Sequence, residues 1–398
     1  MSSVIKATFE LVTPMFLGGG DADQKAEFIR PPSVKGALRF WWRALNWGRI
    51  SQGKSQPEAL KQLHDEEARL FGLAATEADG RQRGGQGVFL LTVSQEDTVK
   101  IEKQPFDRMT DGQFYLLGMG IGKYTHDSGK HCLRSALVNG QFGVQLRFRP
   151  GTKTEDKKSV ADAMYLFGLL GALGSRARHG MGSVSLSAWE GDDRGVPADF
   201  TGYKSALKSI IKLQGDTPPY TAFSKDTRID ISLCGKDPFQ LLTDVGAEQQ
   251  LYRSYGQSGK VNGKPAERNF AEDHDLILQA TQGNRVQEAP QRAVFGLPHN
   301  YFFSSTKGKA DVNYAPDRHD GRRASPLFLH IHQLPDGCVC AVHTLLPAQF
   351  LPEGASIQIK IKSGRTHSDV PAEVNWQVLH DYLNRKRFEK RETLFGAQ

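Results

Sequence analysis

The chain has 398 residues, of which 38% are hydrophobic, so it is long enough for two or three domains with apolar cores. Its 51 Lys and Arg residues outnumber 44 Asp and Glu residues, and the net charge of +7 favours polyanionic partners. The sequence has no run of eighteen apolar residues and no apolar leader, so we expect a cytosolic protein rather than a membrane or secreted one.

The cysteines do not indicate a metal site. Cys132, Cys234, Cys338 and Cys340 are scattered, and the one close pair lacks the two-residue gap common in zinc knuckles. We therefore expect reduced, mostly buried thiols and no metal or other cofactor.

The first 190 residues predict a split βαβ arrangement. Ile5, Ala7, Phe9 and Leu11 alternate with polar residues, which predicts a first strand. The later predicted elements are helices at 34–47 and 57–71, strands at 88–93 and 143–150, a helix at 160–173 and a strand at 184–189. This β-α-β-β-α-β order predicts a ferredoxin-like fold, interrupted by an irregular, Gly-rich insertion near 100–140.

The helix predicted at 34–47 is rich in tryptophan and arginine. Pro31 and Pro32 precede it, and Ser33 offers a capping hydroxyl. One helical face holds Val34, Ala37, Leu38, Trp41 and Leu45, and another holds Lys35, Arg39, Trp42, Arg43 and Asn46. With Arg30 just upstream, we predict that the second face binds phosphates and that Trp42 stacks on a base. The alternative is that these Trp and Arg residues fill and rim a core.

Two glycine-rich segments are further candidates for phosphate contact. Residues 174–183, GSRARHGMGS, predict a loop from which Arg176, Arg178 and His179 project toward a sugar-phosphate backbone. The alternative is a tight connection with solvent-facing arginines. A shorter Gly/Arg segment at 80–87 is predicted to be a loop, with either a phosphate contact or plain solvation as its role.

The second half predicts another α+β unit. Residues 191–225 are interpreted as a connecting segment with a helix near 203–213, and residues 226–398 as the second domain. Its predicted elements are a strand at 228–233, a helix within 238–256, an exposed loop at 257–268, strands at 293–303, 325–333 and 338–346, and a helix at 372–388. A long basic loop joins the predicted strands at 293–303 and 325–333, and it contains Lys307, Lys309, Arg318, Arg322 and Arg323. The two halves have broadly similar element orders, so we predict two tandem ferredoxin-like (RRM-like, βαββαβ) domains with loop insertions.

Several of these stretches together resemble the RAMP superfamily of CRISPR-associated proteins, and more closely the first-named RAMP subunit of the Cmr (type III-B) effector complex. The opening match comprises Thr13-Pro14, Leu17-Gly18-Gly19, residues 30–36 (RPPSVKG) and residues 38–43 (LRFWWR). Residues 174–183 are similar to the superfamily's glycine-rich loop, although His179 stands where another arginine is expected. Residues 295–298 (FGLP) and 322–327 (RRASPL) resemble its C-terminal motifs.

The resemblance implies two ferredoxin-like folds and a ribonucleoprotein subunit near the 3′ end of the guide RNA. It also implies binding of the guide–target RNA duplex and contacts with neighbouring RAMP subunits, without cleavage of the RNA. The expected RNA-binding residues are Arg30, Lys35, Arg39, Trp42, Arg43, Arg176, Arg178, His179, Arg322 and Arg323.

Three alternatives stay open at this point. The first is a metal-independent endoribonuclease that uses His179 as general acid or base, because some RAMP relatives process guide precursors in this way. The second is chelation of a metal by His330 and His332 or by His274, for which further ligands at a recognisable spacing are missing. The third is an architectural protein that binds acidic neighbours and has no affinity for RNA alone.

Overall fold

The computed structural model describes residues 2–18, 28–78, 81–127, 129–314, 321–362 and 367–396. In the first half these residues form β1 (Val4–Leu11), α1 (Pro31–Ser51), α2 (Gln56–Phe71), β2 (Gly72–Ala78), β3 (Arg81–Gln86), β4 (Phe89–Gln95), β5 (Lys100–Glu102), α3 (Asp111–Leu117), β6 (Gly122–Thr125), β7 (Gly129–Cys132), β8 (Ala136–Val138), β9 (Gln141–Phe148), α4 (Thr154–Leu170) and β10 (Val184–Glu190).

The second half begins with α5 (Phe200–Ile210). It continues with β11 (Arg228–Gly235), α6 (Pro238–Arg253), β12 (Lys260–Val261), β13 (Lys264–Pro265), α7 (Ala271–Thr281), a 3₁₀ turn (Gln291–Phe295), β14 (His299–Phe302), β15 (Lys309–Tyr314), β16 (Leu327–Gln333), β17 (Val339–Leu345), β18 (Ser356–Ile361), β19 (His367–Pro371), α8 (Gln377–Leu383), a second 3₁₀ turn (Lys386–Phe388) and β20 (Glu392–Phe395). Within the described ranges the chain is thus a mixed α/β fold with eight α-helices and several antiparallel sheets.

The first sheet has the strand order β10-β1-β9-β4, and its neighbouring strands are antiparallel. The predicted alternation in β1 is confirmed, because Ile5, Ala7 and Phe9 are buried. Phe9 packs against Phe142 of β9 and Phe167 of α4, with ring centres 5.4 and 5.1 Å apart. Because α1 contacts both α4 and α2, more than one of its faces is covered.

The second sheet has the order β16-β17-β11-β20. The helix predicted within 238–256 is confirmed as α6, and it packs across β11, β16 and β17. The terminal strand β20 was missed from the sequence, and the predicted helix at 372–388 is shorter than expected, spanning Gln377–Leu383. The sheet is therefore completed by a strand close to the end of the chain.

A third four-stranded sheet, β14-β15-β18-β19, was not predicted. The strand expected at 293–303 is a 3₁₀ turn followed by the short β14, and the expected basic loop contains β15. Arg318 of that loop lies outside the described residues. Ala310, Val312 and Ile359 of this sheet form a separate apolar core with Ile277 of α7.

The insertion near 100–140 is regular rather than irregular, and it joins the two halves. Its helix α3 packs on α6, where Gly112 and Gly246 meet so closely that an added Cβ on Gly246 would lie 2.1 Å from the Gly112 carbonyl oxygen. The Thr110 and Thr243 hydroxyls are 3.1 Å apart. Two glycines at the crossing thus allow the backbones to touch and fix the halves against each other.

Other boundaries also differ from the prediction. The helix α1 begins at Pro31, because prolines suit the first helical turn, and Arg30 rather than Ser33 occupies the N-cap position. The segment at 80–87 is mostly strand β3, which pairs with β2, while Gly80 lies outside the described residues. All four cysteines are free; Cys132 and Cys340 are buried, and Cys234 is exposed. Among the described helices, none combines the length and apolar character needed to cross a bilayer.

Candidate nucleic-acid interface

Three segments that are far apart in the sequence meet at one surface cleft of about 710 Å³. They are the glycine-rich loop, residues 295–300 and residues 322–325. Among the described residues that line the cleft, none is Asp or Glu and five are arginines: Arg176, Arg178, Arg253, Arg322 and Arg323. We call this site the arginine cleft. Arginines clustered without carboxylates are suited to binding phosphate groups.

Thr13 fixes the glycine-rich loop from the N-terminal side. Its hydroxyl donates to the Gly180 carbonyl oxygen at 2.7 Å and accepts from the Ser183 N–H at 2.9 Å. Gly182 has φ +65°, and an added Cβ there would lie 2.0 Å from the Leu173 carbonyl oxygen. Only glycine fits this position, so the course of the loop is set by backbone contacts.

The same loop pairs with the outer edge of β16 in the second half. The Leu329 N–H donates to the Arg178 carbonyl oxygen at 3.0 Å, and the Ile331 N–H donates to the Ser183 hydroxyl at 3.1 Å. These bonds cover an edge of the second sheet that would otherwise present unpaired N–H groups. The arginine cleft therefore lies at the junction of the two halves.

Arg178 is held in place by aromatic rings. Its Cζ lies 4.3 Å from the centre of the Phe328 ring and 5.7 Å from that of Phe40 of α1, and its Nη1 donates to the Ser325 carbonyl oxygen. Burial and, secondly, the charge of Arg323 lower the Arg178 pKa to about 10, so the guanidinium remains charged at neutral pH. A fixed, charged guanidinium needs little reorganisation to bind an anion.

Arg176 is positioned by the insertion. Its Nη2 donates to the Met119 carbonyl oxygen at 3.0 Å, and Gly118 leaves room for it, because an added Cβ there would lie 2.8 Å from that nitrogen. Burial and then the charge of Arg322 lower the Arg176 pKa. Arg322 is itself exposed. A bound anion would relieve the repulsion between these two cations.

The motifs at 295–298 (FGLP) and 322–327 (RRASPL) are joined by backbone hydrogen bonds. The Leu297 N–H donates to the Arg323 carbonyl oxygen at 2.7 Å, and the Arg323 N–H donates back at 3.1 Å. The Arg323 Nη1 donates to the Thr221 hydroxyl at 3.3 Å, while its Nε and Nη2 are buried without a partner among the described residues. Burial lowers the Arg323 pKa.

Arg253, at the end of α6, is the cleft arginine that sequence reasoning missed. Its Cζ lies 4.3 Å from the centre of the Phe295 ring, and its Nη2 donates to the His299 Nε2 at 3.2 Å. Burial and, secondly, the positive charge of Arg253 lower the His299 pKa well below its usual range, so this imidazole is a neutral acceptor. The feature of the sequence that could have indicated this residue is its position between Tyr252 and Tyr255.

His179 lies in the cleft wall and is half-buried. Its N–H donates to the Arg176 carbonyl oxygen at 2.8 Å. Burial and then the charges of Arg176, Arg253 and Arg178 lower the His179 pKa to about 3. The side chain is consequently neutral at physiological pH and adds no positive charge to the cleft.

A family model described as the RAMP superfamily matches residues 8–185, a range that includes Thr13 and the glycine-rich loop. This part of the chain is therefore similar to the RAMP superfamily. Among solved structures, its fold is similar to that of Cmr1 from Pyrococcus furiosus in the apo form, at 16% identity and a TM-score of 0.51, over 99% of both chains. A chain of the Type III-B Cmr-beta bound to cognate target RNA is 13% identical with a TM-score of 0.47, over 97% of this chain and 99% of that one. No curated protein matches the chain.

The cations of α1 do not join the arginine cleft. Arg43 Nη1 donates to both Glu67 carboxylate oxygens of α2, at 2.9 and 3.0 Å, and Arg39 Nε lies 3.6 Å from the same carboxylate. Arg39 also donates to the Gly72 carbonyl oxygen. The cationic face of α1 is thus not free, because the Glu67 carboxylate of α2 pairs with both arginines and joins the two helices.

Trp42 belongs to the core. It is fully buried, its Nε1 donates to the Ser159 hydroxyl of α4 at 2.7 Å, and its ring lies 6.1 Å from that of Phe71. The predicted stacking of Trp42 on a base is wrong, since α2 and α4 cover this side of α1. The alternative of a filled core applies here.

Arg30 and Lys35 lie near the start of α1 and do not line the cleft. Lys35 Nζ is 5.8 Å from the centre of the Phe89 ring. Burial and, secondly, the charge of Arg39 lower the Lys35 pKa. Arg30 is half-buried and has no ion-pair partner in the part of the chain that the structure describes. A phosphate contact by either residue stays a prediction.

The histidines considered as metal ligands are engaged in packing. His330 and His332 are buried, their Nε2 and Nδ1 lie 3.3 Å apart, and Tyr203 stacks on His332 at 4.0 Å. His274 stacks on Tyr255 at 4.1 Å. Within the described ranges, no group of three or more His, Cys, Asp or Glu residues is arranged to hold a metal ion.

Proposed function

We propose that this chain is a RAMP protein and an RNA-binding, non-catalytic subunit of a type III-B CRISPR effector complex. In this proposal it holds the 3′-end region of the guide RNA and its duplex with target RNA, beside other RAMP subunits of the Cmr complex. The observation that carries the proposal is the arginine cleft, in which five arginines meet and no described lining residue is acidic.

The chemistry of the cleft favours a sugar-phosphate backbone. Arg178 and Arg253 are stacked on phenylalanine rings, which leaves N–H groups of their planar guanidinium forks for phosphate oxygens. The exposed Arg322 lies at the cleft beside them. Such contacts position RNA without reading its sequence. The proposed contacts are Arg176, Arg178, Arg253, Arg322 and Arg323, with the neutral His179 as a further hydrogen-bonding group.

We also propose the finer architecture of two tandem ferredoxin-like domains, at 1–190 and 226–398, joined by residues 191–225. Numbered by their order in the chain, the strands of both main sheets run 4-1-3-2, and helices connect strand one to two and strand three to four. This order supports the βαββαβ assignment. The third sheet is then an insertion in the second domain. The connecting segment contributes Tyr203, Leu207 and Phe223 to an apolar core that residues of both halves share.

The state of His179 supports a non-catalytic role. A general acid must carry a proton at the working pH, and an imidazole with a pKa of about 3 does not. As a base it would also be weak, since efficient proton transfer needs a pKa near neutrality. We therefore propose that His179 contributes shape and hydrogen bonding rather than proton transfer.

The test is binding of a fluorescent single-stranded RNA over a range of salt concentrations, followed by a denaturing gel. Each phosphate contact contributes about 0.7 to the slope of log affinity against log salt for a single strand. The double variant Arg176→Ala/Arg322→Ala should therefore reduce the slope by about 1.4 and weaken binding. Arg147→Ala, which removes an exposed arginine outside the cleft lining, is the matched control.

Unchanged affinity and slope in the folded double variant would refute the assignment of the cleft. Absence of RNA binding by the wild type, with binding to acidic proteins instead, would favour the architectural alternative. Defined cleavage products that disappear in His179→Ala, in the presence of EDTA, would refute the non-catalytic role.

A further inference from the structure

The outer face of the third sheet carries an exposed aromatic ring next to the arginine cleft. Side chains alternate along β14, so that Tyr301 is half-buried while Asn300 and Phe302 are exposed. The Phe302 side chain is 60% exposed, more than the rings of Tyr124 and Phe28. An apolar ring at this exposure is available for stacking on a ligand.

A lysine lies beside this ring, and a second one is in the adjoining turn. Lys309 lies directly opposite Phe302 in the sheet, and its Nζ is 5.6 Å from the centre of the ring. Lys307, in the turn between the two strands, is exposed. The neighbouring carboxylate of Asp311 is already engaged, because Lys362 Nζ lies 3.0 Å from it. The immediate surroundings of Phe302 are therefore cationic.

The face is continuous with the arginine cleft. His299 and Asn300 line the cleft, and Asn300 and Phe302 point to the same side of β14, about 7 Å apart along the strand. The Asn300 side chain is held by a 3.0 Å hydrogen bond to the Asp311 carboxylate. A strand that begins in the cleft wall thus leads directly to the exposed ring, over a distance comparable to the spacing of adjacent nucleotides.

We propose that this face is a second RNA subsite, in which Phe302 stacks on an unpaired base and Lys307 and Lys309 contact the flanking phosphates. The proposal rests on the proposed function, because it takes RNA that leaves the arginine cleft. An aromatic ring flanked by cations is the arrangement with which proteins hold single strands without sequence preference. A protein partner would instead require a larger apolar centre, since protein interfaces are depleted of lysine.

The test compares a short oligouridine of about 4 nucleotides with one of about 16, the range that single-strand-binding modules cover. Phe302→Ala should weaken binding of the longer RNA by about fivefold or more, because it removes one base stack, and should leave the short RNA and the salt slope unchanged. Lys309→Ala should reduce the salt slope for the longer RNA by about 0.7.

Phe302→Trp should restore the affinity that Phe302→Ala loses, and Phe302→Leu should not. This difference separates base stacking from apolar contact. Leu90→Ala is the control, since Leu90 is 62% exposed on the first sheet.

The outcomes separate this proposal from the proposed function. If the wild type binds the longer RNA and Arg176→Ala/Arg322→Ala weakens it while Phe302→Ala does not, the cleft stands and the second subsite is refuted. Equal restoration by Phe302→Leu and Phe302→Trp would also refute stacking. If the wild type binds neither RNA, the proposed function fails, and the second subsite fails with it.

Discussion

The ion pair between Arg43 and Glu67 is predicted to stabilise the fold without contributing to RNA affinity. Glu67 is 9% exposed and accepts two hydrogen bonds from Arg43. Hydrogen bonds to charged groups contribute about 1.5–3 kcal/mol. Because the Arg43 side chain is 35% exposed, solvent screens part of the attraction between the two charges. We therefore expect a coupling free energy of about 1–2 kcal/mol between Arg43 and Glu67.

A double-mutant cycle with Arg43→Ala, Glu67→Gln and the double variant measures this coupling. Urea unfolding followed by tryptophan fluorescence is the assay, because Trp41, Trp42 and Trp47 all lie on α1. RNA affinity is measured on the same folded samples and should stay within about twofold of the wild type, since neither residue lines the cleft. A coupling below about 0.3 kcal/mol, or a loss of RNA affinity in folded Arg43→Ala that matches that of Arg322→Ala, would refute this reasoning.

Two further predictions concern stability. Burial lowers the pKa of His330 and His343 to about 3, below the value of about 6.5 in an unfolded chain, so their contribution is complete above pH 6.5 and is lost as the pH falls toward 3. Protonation of each histidine should lower the free energy of unfolding by about 2 kcal/mol between pH 7 and pH 5. In urea titrations, this free energy should depend less on pH for His343→Asn than for the wild type. An equal pH dependence would contradict the prediction. Gly182→Ala should lower the thermal midpoint markedly, because its Cβ would clash with the Leu173 carbonyl oxygen. Gly53→Ala, also at positive φ but with nothing within 4 Å, should have a much smaller effect, and similar midpoints for both variants would contradict the reasoning.

The sequence predicted the elements of the first sheet well because their patterns are local. The alternation of Ile5, Ala7 and Phe9 is sufficient to identify a strand with one buried face. A helical wheel failed for Trp42, because it assumes one buried face, whereas α1 is covered by two helices as well as by the sheet. The strand β20 was missed because four residues carry too little periodicity, and it is stabilised by pairing with β11.

The candidate site was predicted in parts but not as an assembly. The residue types of Arg176, Arg178 and Arg322 indicated phosphate contact, but no local pattern shows that residues so distant in the chain share one cleft. Arg253 was missed for the same reason, since its role depends on the position of Phe295. The pairing of Arg39 and Arg43 was not predicted, because their counterion, Glu67, is on another helix. Pairing of charges between elements is a tertiary property that composition does not reveal.

The pairing of the glycine-rich loop with β16 has a consequence for synthesis of the chain. The loop leaves the ribosome before β16, Arg322 and Arg323 have been made, and at usual elongation rates that interval lasts on the order of 10 s. During this time Thr13 can already anchor the loop, but the opposite wall of the cleft does not exist. The arginine cleft is therefore a late product of folding, and RNA can be captured there only after translation has passed Ser325.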